Sequence, residues 1–335
     1  MKRSRRQAGS TLHRIGGFTL IELMVAMTLS LVLVAGVLAV MLNSRQTYEV
    51  HDYTADMQEN ARFAMYILSR ELRAAGYYGC SNRLTNSIPG VLGGSVGLVS
   101  GDNGTGWGSA DEFTVRFADP AHADVRLSSM DSSTQWTLSR VPASWEQDLA
   151  AQKPVYVLIS DCGSTAIASL TGADAAKATI RFDTTSLGRE FLSDALPINV
   201  RRLLVHTYSV ALNTDGIASL MLDENLGDGP QVLVAGIENM QVNYRTPLLV
   251  QPAPLPNWNE VTSASVGLLV RSVSRYRPDL GDKGQFGNTN DTDRGSYVVL
   301  DVTFSPQADG GILPPLRGRR DTFTSSAMIR NRAGI

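Results

Sequence analysis

Residues 17–42 read GFTLIELMVAMTLSLVLVAGVLAVML, and Glu22 is the only ionisable side chain among them. From Phe18 to Leu42, a rise of about 1.5 Å per residue gives a helix of roughly 37 Å, enough to cross a hydrocarbon layer of about 30 Å with some tilt. A carboxylate inside that layer costs several kcal/mol unless it is paired or protonated, so Glu22 reads as a functional residue in need of a partner. Lys2, Arg3, Arg5, Arg6 and Arg14 precede the run with no acidic residue among them. That basic flank places the N-terminal end in the cytoplasm and the rest of the chain outside. A cleaved secretory signal has an apolar core of only about 7–15 residues, so this longer run is expected to stay as an anchor.

The helical pattern continues past the apolar run. Met57, Ala61, Ala64, Leu68, Leu72 and Ala75 recur at steps of three and four and form one apolar stripe. Gly76 supplies a C-terminal stop. One helix from Phe18 to about Ala75 is therefore expected, apolar all round in its first half and amphipathic in its second. The second half must bury its stripe against a globular domain. This divides the chain into residues 1–17, a basic leader; 18–42, a membrane helix; 43–76, an amphipathic helix; and 77–335, an outer domain.

Composition narrows the function classes. The first 17 residues hold five of the 30 basic side chains and none of the 32 acidic ones, leaving 25 basic and 32 acidic groups on the rest. A chain of that sign has no electrostatic footprint for nucleic acid. The chain has two cysteines, Cys80 and Cys162. Outside the cytoplasm they read as one disulfide closing a loop of about 80 residues, with two separate buried thiols as the alternative.

Beyond Gly79 the pattern changes. Residues 84–110 are rich in Gly, Ser and Asn and read as a long surface loop. From Asp111 onward, β-branched and aromatic alternation predicts strands at 112–117, 155–160, 179–182, 199–212, 232–244, 265–273, 297–304 and 322–330. The expected fold class is α+β: one long N-terminal helix packed on an antiparallel sheet, with β-rich insertions.

Gly17-Phe18-Thr19-Leu20-Ile21-Glu22, between a basic leader and a long apolar helix, resembles the N-terminus of type IV prepilins. Val232–Tyr244 (VLVAGIENMQVNY), Val266–Ser272 (VGLLVRS) and Arg319–Asn331 (RRDTFTSSAMIRN) resemble the C-terminal segments of the PilW-type minor pilins. The chain lacks the mid-helix proline of many major pilins. The resemblance implies cleavage by prepilin peptidase between Gly17 and Phe18 and N-methylation of Phe18. It further implies that Glu22 pairs with the new Phe18 amine, preferably that of a neighbouring subunit, during assembly. The implied partners are prepilin peptidase, other minor and major pilins and the inner membrane, with the outer domain in the periplasm and then at the cell surface in the pilus. A large pseudopilin of type II secretion is the nearest alternative.

Catalytic signals are sparse. Gly93-Gly94-Ser95-Val96-Gly97 matches the nucleophile-elbow spacing, but its glycine-rich flanks lack the strand-to-helix context, which leaves a membrane-anchored hydrolase as a remote alternative. No enzyme activity and no catalytic residue are expected, and the four histidines read as structural. No cofactor is expected. Asp102, Asn103 and Asp111, and the stretch from Asp282 to Asp293, are oxygen-rich enough to leave calcium open.

Overall fold

The computed structural model describes residues 19–81, 84–89, 91, 97–161, 163–183, 197–253, 255, 258–272, 297–300, 302–304 and 320–329. Two compact units divide the chain, Met1–Asp52 and Tyr53–Ile335. Helix α1 (Leu20–Ala74) forms the described part of the first unit and opens the second. Its end falls where the sequence places it, because Gly76 takes φ +72°, a left-handed conformation that stops the helix without steric cost.

Within the first unit, Leu31, Val32 and Leu33 are each 70–71% exposed. By length and composition, Leu20–Arg45 suffices to cross a membrane. Its two mid-span hydroxyls are accommodated internally: Thr28 Oγ1 donates to the Val25 carbonyl at 2.9 Å and Ser30 Oγ to that of Ala26 at 2.7 Å. Such back-bonding lets a polar side chain sit in hydrocarbon without an unmet donor.

In the second unit, all six stripe residues, Met57, Ala61, Ala64, Leu68, Leu72 and Ala75, are 0–1% exposed. They share one core with residues of two antiparallel sheets. The first sheet has ten strands: β1 (Val99–Asp102), β2 (Glu112–Ala118), β3 (Leu127–Met130), β4 (Gln135–Leu138), β5 (Tyr156–Ser160), β6 (Thr165–Asp174), β7 (Thr179–Phe182), β8 (Asn199–Leu212), β9 (Ala218–Asp223) and β10 (Gln231–Ala235). Their order is β1-β2-β8-β5-β6-β7-β4-β3, with β9 and β10 added through β8. The long strand β8 joins the two halves: Leu203–Tyr208 pair with β2, and Asn199–Arg202 pair with β5. The second sheet runs β12-β11-β13-β16, from β11 (Ile237–Arg245), β12 (Val250–Gln251), β13 (Ser263–Arg271) and β16 (Arg320–Met328). A hairpin of β14 (Tyr297–Val299) and β15 (Val302–Phe304) completes the strands.

The far half of the first sheet has a core of its own. Helix α2 (Ala143–Ala150) buries Trp145 against Val157, Ile159, Ala166 and Ile180. Trp136 and Phe182 meet edge to face there, with ring centroids 4.9 Å apart. This β-rich subdomain is the expected insertion, and α2 within it is an addition to the sequence reading.

Three sequence expectations need correction. The glycine-rich stretch 84–110 is not simply a surface loop: Val99–Asp102 pair in register with Glu112–Val115, and Val99 is fully buried. Arg116 of β2 holds this stretch in place, donating to the carbonyls of Val91 and Gly97 and to Ser100 Oγ. The run 232–244 is two strands, because Gly236 at φ +84° carries the chain from β10 in one sheet to β11 in the other. Likewise 297–304 is a hairpin, with Leu300 at φ +45° in its turn.

Candidate assembly site

The described chain begins at the N-terminus of α1, at Thr19 and Glu22. Glu22 N–H donates to Thr19 Oγ1 at 3.3 Å, and Thr19 N–H donates to Glu22 Oε2 at 3.5 Å. Together these form a capping box, in which a hydroxyl and a carboxylate three residues apart each satisfy an orphan amide of the first turn. The carboxylate is thereby turned back toward the start of the chain. Gly17 and Phe18, the expected cleavage junction and methylated residue, lie outside the described residues.

A second cluster of functional interest gathers the three C-terminal segments singled out above. β11, β13 and β16 are adjacent strands, and one segment contributes to each. Glu238 sits at a bulge in the β11–β13 pairing, which re-aims its side chain. Its carboxylate takes Arg271 Nη1 at 3.3 Å and Arg320 Nη2 at 3.2 Å. Farther along β11, Asn239 Nδ2 donates to the Gly108 carbonyl at 2.7 Å, and Gln241 Nε2 to the Ser109 carbonyl at 3.1 Å. The polar residues of the GIENMQ stretch thus hold a loop of the neighbouring sheet onto β11. Periodicity hid this, since polar residues inside a strand read as solvent-facing.

Asp111 completes the junction. Its two carboxylate oxygens accept the amides of Gly104 and Val242, at 2.9 and 2.8 Å. Burial pushes its pKa up, and those two amides only partly offset the shift. The carboxylate thus has a structural use of its own. Among the described residues, no three His, Cys, Asp or Glu side chains are placed to hold a metal ion. The second calcium candidate, 282–293, lies outside the described residues.

Cys80 is disulfide-bonded. Cys162, the chain's other cysteine, lies outside the described residues, as does Ser95 of the elbow-like loop. His122 Nδ1 lies 2.9 Å from Asp119, and His206 Nδ1 lies 2.8 Å from Glu71. His51 is exposed on α1. The Glu71–His206 contact, between α1 and β8, was not foreseen from sequence. Its only sequence signal is an acid beside the apolar stripe.

The comparisons with known proteins fall on these two regions. Residues 12–38 match the prokaryotic N-terminal methylation motif, and residues 207–331 match the family described as Type IV Pilus-assembly protein W. A type IV-like pilin from Thermus thermophilus is similar at 12% identity, over 57% of this chain and 99% of its own, with a TM-score of 0.22. No curated protein matches. A methylation motif at the head of an apolar helix defines the class as type IV pilin-like. Within that class the chain is a pilin-like protein with a PilW-type C-terminal region, which takes in β9 to β16 and the buried Glu238 cluster.

Proposed function

We propose that the chain is a minor pilin of the type IV pilus. Prepilin peptidase cuts between Gly17 and Phe18 and methylates the new amine, the Leu20–Arg45 span holds the protein in the inner membrane, and the second unit faces the periplasm. The subunit is then incorporated into the filament, beside other minor and major pilins. The observation that carries this reading is the placement of Glu22: an ionisable group at the third helical position of an otherwise apolar span, turned toward the Phe18 end by its box with Thr19. The cationic amine at Phe18 needs a counter-charge once neighbouring helices exclude water, and Glu22 supplies it. The PilW-type match over 207–331 favours a pilus over a type II secretion pseudopilin. The disulfide of Cys80 is assigned to Cys162, a pairing open only in an oxidising compartment.

The test is Glu22→Ala in the full chain. The variant should insert in the membrane and lose its leader normally, yet be absent from sheared filaments. Normal incorporation would overturn the role of Glu22. Sequencing the mature N-terminus should give methylated Phe18, and an intact Met1 would overturn the whole reading.

A further inference from the structure

The stretch from Leu23 to Leu42 is 20 residues long and contains no ionisable side chain. Glu22 closes it on one side, and Asn43, Ser44 and Arg45 close it on the other. At about 1.5 Å per residue such a helix is roughly 30 Å long, the thickness of a bilayer's hydrocarbon layer. Its two hydroxyls, on Thr28 and Ser30, are bonded to carbonyls of the same helix and so have little say in its depth. Just past the stretch, Arg45 is exposed and Tyr48 is 72% exposed, three residues apart on one side of α1. Helical side chains lean toward the N-terminus, so the Tyr48 ring points back along the helix toward Leu42. We propose that Arg45 and Tyr48 bind the phospholipid headgroup layer on the outer side of the membrane, and that this contact holds α1 at a depth where Glu22 lies outside the hydrocarbon. The inference rests on the inner-membrane reading above. It replaces the expectation, drawn from the apolar run as a whole, that the carboxylate sits within the layer.

Three observations carry it. First, Arg45 is the first basic residue after Arg14, and Tyr48 is the first aromatic residue after Phe18. The two fall together within two turns of the apolar boundary. A guanidinium matches phosphate oxygens, and a tyrosine joins an apolar ring to a polar tip, the combination found at membrane–water interfaces. Secondly, sliding is opposed in both directions. One turn outward would draw Glu22 into hydrocarbon and put the exposed side chains of Val40, Met41 and Leu42 into water. One turn inward would draw Asn43, Ser44 and Arg45 into hydrocarbon. Thirdly, the box with Thr19 turns the Glu22 carboxylate back toward the chain start, away from the apolar stretch. At this depth Glu22 keeps its water while the subunit waits in the membrane. Its carboxylate needs the Phe18 amine as a partner only when the helix leaves the bilayer and packs among others.

The test reconstitutes the full chain in liposomes of dioleoyl phosphatidylethanolamine and phosphatidylglycerol. A nitroxide is attached to single cysteines in Val25→Cys, Leu29→Cys, Leu33→Cys, Val37→Cys and Met41→Cys, with the wild-type chain treated alike as blank. The ratio of collisions with oxygen to collisions with a nickel chelate rises toward the bilayer centre. It should peak at position 33 and fall equally toward 25 and 41. A peak shifted to position 29 would place Glu22 in hydrocarbon, and one at 37 would place Arg45 there; either overturns the inference. A photo-crosslinking phenylalanine analogue in place of Tyr48 should give a phospholipid adduct, in clear excess over the same analogue in place of Tyr66. Equal yields would overturn the anchoring role of this position. Arg45→Glu, which repels phosphate, should lower the adduct yield at position 48, and an unchanged yield would overturn the role of Arg45. A chain that does not float with the liposomes sinks the membrane reading itself, whereas a floating chain with a displaced peak sinks this inference alone.

Discussion

Arg271 and Arg320 face each other in register across β13 and β16, and the guanidinium groups of both are held by the one carboxylate of Glu238. The three residues are 0–7% exposed. Two cations side by side on adjacent strands repel, and the acid between them offsets that repulsion. Glu238 reaches that position because the bulge in β11 re-aims it. The ion cluster ties three strands into one register and joins segments that lie more than 80 residues apart in the chain.

Removing the acid should therefore be costly. Glu238→Gln takes a shared charge partner from two buried guanidiniums, and a loss of about 3–5 kcal/mol is expected. Denaturant unfolding of the full chain in detergent measures it.

The Glu71–His206 contact joins α1 to β8 and gives a pH dependence of known sign. Burial pushes the Glu71 carboxyl up, but the hydrogen bond and charge of His206, followed by those of Arg70, more than offset this and hold it below its ordinary value. A depressed carboxyl pKa contributes stability above the unfolded value of about 4.3, and that stability is lost as pH falls through the folded value. Wild type should thus exceed Glu71→Gln in stability at pH 6, with the gap narrowing by pH 3. A gap that stays constant over that range would refute the assignment.

Gly101 is fixed by a hydroxyl. A Cβ there would lie 2.4 Å from Tyr244 Oη and 2.6 Å from the Glu112 carbonyl oxygen. Gly101→Ala should destabilise by about 1–3 kcal/mol through overpacking. Tyr244 Oη is buried with no hydrogen-bond partner among the described residues. Deleting it in Tyr244→Phe should be neutral or stabilising, since a buried unsatisfied hydroxyl is a cost. The double variant should recover part of the Gly101→Ala loss, and a thermal-unfolding mutant cycle reads that coupling.

Arg116 is almost fully buried, and desolvation lowers its pKa to about 10. Its donors hold Val91, Gly97 and Ser100. Arg116→Met keeps the bulk but leaves those acceptors unmet, at a cost of about 1–3 kcal/mol. Limited proteolysis should then cut within residues 97–101 at low protease, where the β1–β2 pairing protects wild type.

Much of this protein is legible in its sequence because the relevant interactions are local. A helix satisfies its own amides four residues away, so the stripe from Met57 to Ala75 and the stop at Gly76 predict its buried face and its end. The Thr19–Glu22 box is equally local. The strand at 199–212 was readable to the residue, since alternation over fourteen positions has a period of its own.

Long-range pairing decided the rest. Strand β1 hides in a glycine-rich stretch because what makes it a strand is β2, together with the Arg116 clamp. The run through Val232 and Tyr244 looked unbroken because only the positive φ at Gly236 reveals the passage between sheets. Glu238, Arg271 and Arg320 read separately as three unremarkable charges. Only the fold brings them within bonding distance and out of water, and in that low-dielectric setting a charge must be matched or the structure pays. A continuous apolar run and the periodic stripe that follows it therefore determined the long helix and its buried face, whereas partners far along the chain decided where the sheets join and which charges hold them.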